Sequence, residues 1–137
     1  MGGIYLQNMK NFLQWFPVKS KLDEGSHKPP FVSEGDIWWA SIGENVGSEI
    51  NGKSTQFSRP VVIFKKLAHG FYFVIPTTTK DKEGTWYVPF VHAEVSTVAC
   101  LHQSRAIDYR RLSSKLGTLD AVDFELIKSG FKKLYIK

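Results

Sequence analysis

Three short segments of this sequence carry side chains suited to work on a phosphate ester. Arg59, in an Arg59-Pro60 step, offers a planar fork of donors that stays charged at neutral pH; it is a poor general base and a good clamp for phosphoryl oxygens. The same residue as a surface cation, or as the partner of Glu49, would do no chemistry. Thr77, Thr78 and Thr79 follow Pro76, and their hydroxyls can donate to a phosphate oxygen, although three consecutive threonines are also good strand residues. His102 has the one side chain here whose unperturbed pKa, about 6.5, suits proton transfer in either direction; the competing reading is a hydrogen-bonded strand histidine. Gln103 can read a base edge or orient a neighbour. Arg105 and Arg110 can contact phosphates or pair with Asp108. Trp86, beside a charged loop, is the candidate for stacking a base, a contact worth roughly 1–3 kcal/mol.

These groups have to be held by strands. In Ile37–Ile42 apolar side chains fall on both faces, and Val61–Phe64 is a continuous β-branched and aromatic run, so both strands are expected to be largely buried, with Trp38 and Trp39 mostly core. Pro60 cannot donate a ladder hydrogen bond and is expected at the first position of the second strand, which puts Arg59 on the last loop residue before the sheet. Phe71–Pro76, Trp86–Val91 and Val95–Leu101 are further strand candidates, and Lys80–Gly84 is a polar hairpin loop whose charges read most simply as a solvated tip. Asp108–Leu116 reads as a brief helix between an Asp108 N-cap and Gly117, and a final helix from Asp120 carries Phe124, Ile127, Phe131 and Leu134 at helical spacing. Ile4–Phe16 places Tyr5, Met9, Phe12, Leu13 and Phe16 on one helical face, with Pro17 expected to end the helix and Ser20–Ser33 to form a linker. The expected class is α+β, built on a small, strongly bent antiparallel sheet.

Five segments in order, GDIWW (Gly35–Trp39), GSE (Gly47–Glu49), SRPVVI (Ser58–Ile63), PTTTK (Pro76–Lys80) and QSRAIDYRRL (Gln103–Leu112), resemble the MazF/PemK family of toxin ribonucleases from bacterial toxin-antitoxin pairs. The resemblance runs from about Gly35 to the C-terminus and implies an SH3-like, CcdB/MazF-like barrel that forms twofold homodimers. It divides the chain into an N-terminal helical arm and linker, residues 1–33, and a toxin domain, residues 34–137. It implies a sequence-selective endoribonuclease that cleaves single-stranded RNA, is controlled by an antitoxin protein, and binds DNA together with it. Among the threonines it singles out Thr78 as the match to a catalytic Thr or Ser. The catalytic set it implies is Arg59, Thr78 and His102, with substrate contacts from Glu49, Thr77, Thr79, Trp86, Gln103 and Arg105. Two departures stand out: the loop from Glu49 to Arg59 is a few residues longer than usual, and His102 occupies a position where an acidic residue commonly precedes the Gln.

The composition agrees with an anionic partner. Eighteen Lys and Arg against thirteen Asp and Glu give a net charge of +5, and a 42% hydrophobic, 14% aromatic chain of 137 residues is expected to fold as one domain with a modest core. The single cysteine, Cys100, excludes an internal disulfide, points to a reducing compartment and, flanked by apolar residues, reads as a buried structural thiol. His27, His69, His92 and His102 are scattered without paired spacing, so no metal ligand set and no cofactor are expected. The N-terminal segment lacks the features of a secretion signal and is too short and polar to span a membrane, which gives a cytoplasmic expectation. Cutting RNA without a metal requires removal of the 2′-OH proton, stabilisation of charge on five-coordinate phosphorus and protonation of the departing 5′ oxygen. Two other classes compete: a CcdB-like toxin that binds DNA gyrase, and a non-catalytic RNA-binding module. Arg59, Thr78 and the His102-Gln103 pair together favour the ribonuclease.

Overall fold

The computed structural model of the chain describes residues 10–25 and 28–136. Helix α1 (Phe12–Asp23) precedes seven strands, β1 (Asp36–Ser41), β2 (Ser58–Ala68), β3 (Phe71–Thr78), β4 (Tyr87–His92), β5 (Val95–Cys100), β6 (Arg105–Asp108) and β7 (Leu112–Thr118), and helix α2 (Ala121–Tyr135) closes the chain. Short 3₁₀ turns at Leu101–Gln103 and Tyr109–Arg111 flank β6. The strands pair antiparallel in the order β4-β5-β3-β2-β1-β7, with β6 added to β3. Register shifts between β1 and β7, and between β2 and β3, mark the bulges that bend the sheet into a strongly curved, unclosed barrel.

The two apolar faces expected of β1 and β2 are both used. Trp38, Ala40, Val61 and Ile63 point into one core with Tyr72, Val74, Ile107 and Leu112, while Ile37 and Val62 point into a second with Ile75, Phe90, Ala99, Leu101 and Ile127. The α2 stripe covers the second core. Phe64 and Phe131 lie 4.7 Å apart between ring centroids, with Phe124, Phe73 and Leu134 alongside. Asp36 is buried at the edge of this layer, accepting from Ser33 N at 2.9 Å, Trp38 Nε1 at 3.3 Å and Thr118 Oγ1 at 3.1 Å, with Lys115 Nζ at 3.4 Å. A buried carboxylate is tolerable because each lone pair has a donor. Asp36→Ala leaves those donors orphaned and is expected to cost about 2–3 kcal/mol of stability, read as a lowered midpoint in urea at unchanged slope.

Several local expectations are corrected. Pro17 lies inside α1, and the helix runs on to Asp23 through part of the stretch read as a linker. Phe12, Leu13 and Phe16 are exposed, whereas Trp15 is the buried residue of α1; Tyr5 and Met9 fall outside the described residues. The expected helix at Asp108–Leu116 is a single 3₁₀ turn followed by β7, although Asp108 does cap it by accepting from Arg110 N at 2.9 Å. Strand β2 begins at Ser58, so Arg59 is a sheet residue paired with Ala40, and Pro60 pairs with Trp39, which is 36% exposed rather than core.

Candidate functional site

Arg59 projects from β2 where this strand, the end of β3 and the loop between β1 and β2 meet. Its Nε donates to the Asn51 carbonyl at 2.6 Å and its Nη1 to the Thr77 carbonyl at 3.4 Å, so the fork is aimed by two backbone oxygens and the remaining donors stay available. Glu49 is not its partner, because Glu49 Oε1 instead accepts from Val46 N at 2.9 Å within the loop. Burial pushes the Arg59 guanidinium below the ordinary arginine value, with Cys100 acting weakly the other way.

The three threonines separate by geometry. Thr77 is buried and its Oγ1 donates to the Pro60 carbonyl at 2.8 Å, a staple between β3 and β2. Thr79 is exposed beyond the strand end. Thr78 Oγ1 accepts from Lys80 N at 3.2 Å, which occupies a lone pair and leaves the hydroxyl proton to be donated elsewhere.

His102 sits in the first 3₁₀ turn, which is fixed on every side. Leu101 is buried in the second core, its N–H donates to the Trp86 carbonyl at 2.8 Å, and its carbonyl accepts from Ser104 Oγ at 2.7 Å and Tyr135 Oη at 2.9 Å. The imidazole stacks on Trp86 at 4.9 Å and 25°, with Tyr87 edge-on at 5.1 Å. Among the described residues, its Nδ1 is buried without a hydrogen-bond partner. Burial, only partly opposed by the Trp86 backbone, lowers the His102 pKa below its usual 6.5, which favours the neutral ring.

Arg59, Thr78, His102 and Gln103 line one groove of about 250 Å³ together with Ser48, Ile50, Lys80, Lys82, Tyr87 and Cys100. A larger, more apolar groove of about 440 Å³ lies beyond, sharing Arg59 and Thr78 and adding Trp39, Thr77, Thr79, Phe90, His92 and Leu116. Trp86 stands beside the smaller groove as the stacking partner of His102. Glu49 and Arg105 line neither groove; Arg105 Nη1 donates to the Ile42 carbonyl at 3.3 Å, behind the loop. Gln103 has its amide committed at both ends, accepting from Ile50 N at 2.9 Å and donating to Ser48 O at 3.0 Å. It therefore holds the loop. Arg110 lies within 4 Å of Asp108 and Asp23. The loop cations Lys80 and Lys82, whose charges read most simply as a solvated tip, line this groove and complete its positive wall. Burial raises the Cys100 thiol, although Arg59 and Lys82 pull the other way, so it stays protonated and is a poor nucleophile.

This bent barrel with a flanking helix, bearing a cation-walled groove at the strand ends, is of the SH3-like class found in small toxins. The chain belongs to the PemK-like, MazF-like toxins of type II toxin-antitoxin systems, whose family profile matches residues 33–135. Its fold is similar to that of MazF from Deinococcus radiodurans, at 22% identity and a TM-score of 0.64 over 77% of this chain and 97% of that one. It is also similar to an endoribonuclease in complex with its cognate antitoxin from a mycobacterial species, at 12% identity, a TM-score of 0.62 and coverage of 78% and 98%. The Mycobacterium tuberculosis toxin MazF-mt6 superposes at 17% identity with a TM-score of 0.57, covering 73% of this chain and 95% of its own. No curated protein sequence matches the chain. Among the described residues, no helix is long and apolar enough to cross a membrane.

Proposed function

We propose that this toxin is a metal-independent, sequence-selective endoribonuclease that cleaves single-stranded RNA by attack of the substrate's own 2′-OH. The observation that carries the reading is the convergence of Arg59, Thr78 and His102 with Lys80 and Lys82 on one groove of about 250 Å³. The neutral imidazole of His102 takes the 2′-OH proton as the 2′ oxygen bonds to phosphorus. The Arg59 fork and the Thr78 hydroxyl hold the non-bridging oxygens, and the lysines add positive potential as charge builds. The bond from phosphorus to the 5′ oxygen breaks as that oxygen takes a proton from solvent, leaving a 2′,3′-cyclic phosphate and a 5′-hydroxyl, and the imidazolium then returns its proton to solvent. Trp86 offers a half-exposed ring on which a base can stack.

The same reading makes the toxin a cytoplasmic homodimer whose domain is residues 34–137, with residues 1–33 as an appended arm. Its antitoxin neutralises it by laying an acidic segment in the positive groove, in keeping with the net charge of +5. One experiment tests the whole. Purified protein in excess chelator is expected to cut a long RNA at discrete sites, to leave uncut an oligonucleotide carrying a single deoxy sugar just 5′ of the scissile phosphate, and to be inhibited by antitoxin less well as salt rises. Cutting of the deoxy chimera at the normal site rules out 2′-OH attack. Binding without cleavage selects the RNA-binding module instead.

A further inference from the structure

Helix α1 lies before the stretch that the family profile matches, and it is fastened to the barrel at two places: the second 3₁₀ turn, where Arg110 lies 3.8 Å from Asp23 and the Arg111 guanidinium sits 5.8 Å from the Trp15 ring centre, and the long loop between β1 and β2. Trp15 is 6% exposed although the helix leaves Phe12, Leu13 and Phe16 in solvent. Its ring occupies the space beside Gly43, where a Cβ would come within 2.5 Å of it, and it packs on Phe57 with centroids 5.4 Å apart. Gly43 and Phe57 are the two ends of the loop, joined by the Gly43 N–H donating to the Phe57 carbonyl at 3.1 Å. Ahead of the helix, Lys10 Nζ donates to the carbonyls of Asn45 and Gly47 at 2.5 and 3.0 Å, and the Asn11 N–H donates to Glu44 at 2.5 Å. The arm thus grips the loop at its base and along its outer side.

The inner side of the same loop faces the groove. The Asn51 carbonyl is what Arg59 Nε binds, and Ser48 and Ile50 are what Gln103 holds. Within the loop, Asn45 ties the two sides together: its N–H donates to Asn51 Oδ1 at 2.6 Å and its side-chain amide to the Ile50 carbonyl at 2.8 Å. Two sets of contacts therefore converge on Asn51 and Arg59: one from Lys10 through Asn45, the other from Trp15 through Gly43, whose carbonyl accepts from the N–H of Gly52, next to Asn51, at 2.8 Å.

We propose that the N-terminal arm is a brace for the active-site loop, and that Trp15 and Lys10 are positioning residues that act on Arg59 through Asn51. A loop with this many solvent-facing polar residues has little apolar burial of its own, and the arm supplies the anchoring that its length removes. The catalytic half of this proposal rests on the endoribonuclease reading above, while the structural half does not.

The test is amide hydrogen exchange on the full-length protein, wild type against Trp15→Ala. Protection at Asn45, Ile50 and Gly52 is expected to fall by about tenfold or more, with the Arg59 Nε–H exchanging faster in parallel, while Val62 and Ile75 in the sheet stay within about twofold. In steady-state cleavage kcat is expected to fall about tenfold with KM nearly unchanged, because a clamp displaced by a fraction of an ångström still binds RNA and stabilises charge poorly. Trp15→Phe, which refills part of the space beside Gly43, is expected to restore most of both. Should Trp15→Ala fail to fold, Lys10→Met removes the two carbonyl contacts from an accessible position and is read at the same amides. Unchanged loop protection overturns the brace, and so does an equal loss in loop and sheet, since that marks the arm as a general stabiliser. A loosened loop with unchanged kcat overturns the positioning role. A wild-type protein that cuts no RNA defeats the endoribonuclease reading alone, and the exchange data still decide the brace.

Discussion

His102→Gln is expected to keep the fold and RNA binding and to reduce turnover by about 10² to 10⁴, the usual range for losing a general acid or base. Glutamine fills much the same volume against Trp86 and Tyr87 and can hydrogen-bond, but it cannot exchange a proton. The pH profile gives the sign. Burial lowers the imidazole pKa, which favours the neutral form that can accept a proton. Wild-type kcat/KM is therefore expected to be low at acid pH, to rise through an ionisation below the ordinary 6.5 and then to level off, whereas an imidazole working as an acid would make the rate fall through the same ionisation. The rising limb should vanish in His102→Gln. A variant that cleaves at the wild-type rate with an unchanged profile makes the histidine a structural part of the aromatic stack. Proton transfer would then fall to Arg59 or solvent.

Arg59→Ala is expected to raise the barrier by about 3–4 kcal/mol, a loss of roughly 10² to 10³ in kcat/KM, with the shape of the pH profile retained. The guanidinium is held by the Asn51 and Thr77 carbonyls, so its charge is set in place before substrate arrives and needs no reorganisation as the phosphorane forms. Arg59→Lys keeps the charge but cannot donate to both carbonyls and still present a fork, and it is expected to recover only a small part of the loss. Because Asn51 also loses its partner, thermal unfolding of both variants separates a catalytic defect from a slackened loop. Equal rates for wild type and Arg59→Ala, with the fold intact, would remove the guanidinium from the mechanism.

Much of the scaffold is legible in the linear sequence because the forces that set it are local. Apolar residues on both faces of Ile37–Ile42 and the run Val61–Phe64 require strands covered on two sides, and the structure gives each face its own core. The spacing of Phe124, Ile127, Phe131 and Leu134 requires a helix with one apolar stripe, which α2 lays on the second core. The segments that carry the family resemblance likewise keep their order in the fold. The arm and the short connections are less legible. Periodicity favoured Phe12 and Phe16 as the inward face of the first helix, yet the space beside Gly43 accepts one indole, and docking of Trp15 there outweighs both the exposure of the phenylalanines and the roughly 3 kcal/mol penalty of Pro17 within the helix. Residues 112–118 carry no strong strand pattern and become β7 because the free edge of β1 needs hydrogen-bond partners. Side-chain roles at the site are decided the same way. Gln103, open in the sequence between reading a base and orienting a neighbour, has its amide taken by Ser48 and Ile50 more than fifty positions away, and Lys80 and Lys82 join Arg59 only because β3 ends at the mouth of the groove. Alternation and capping act over a few residues and can be read from them, whereas the partner of a polar side chain is chosen by whatever the fold brings alongside it.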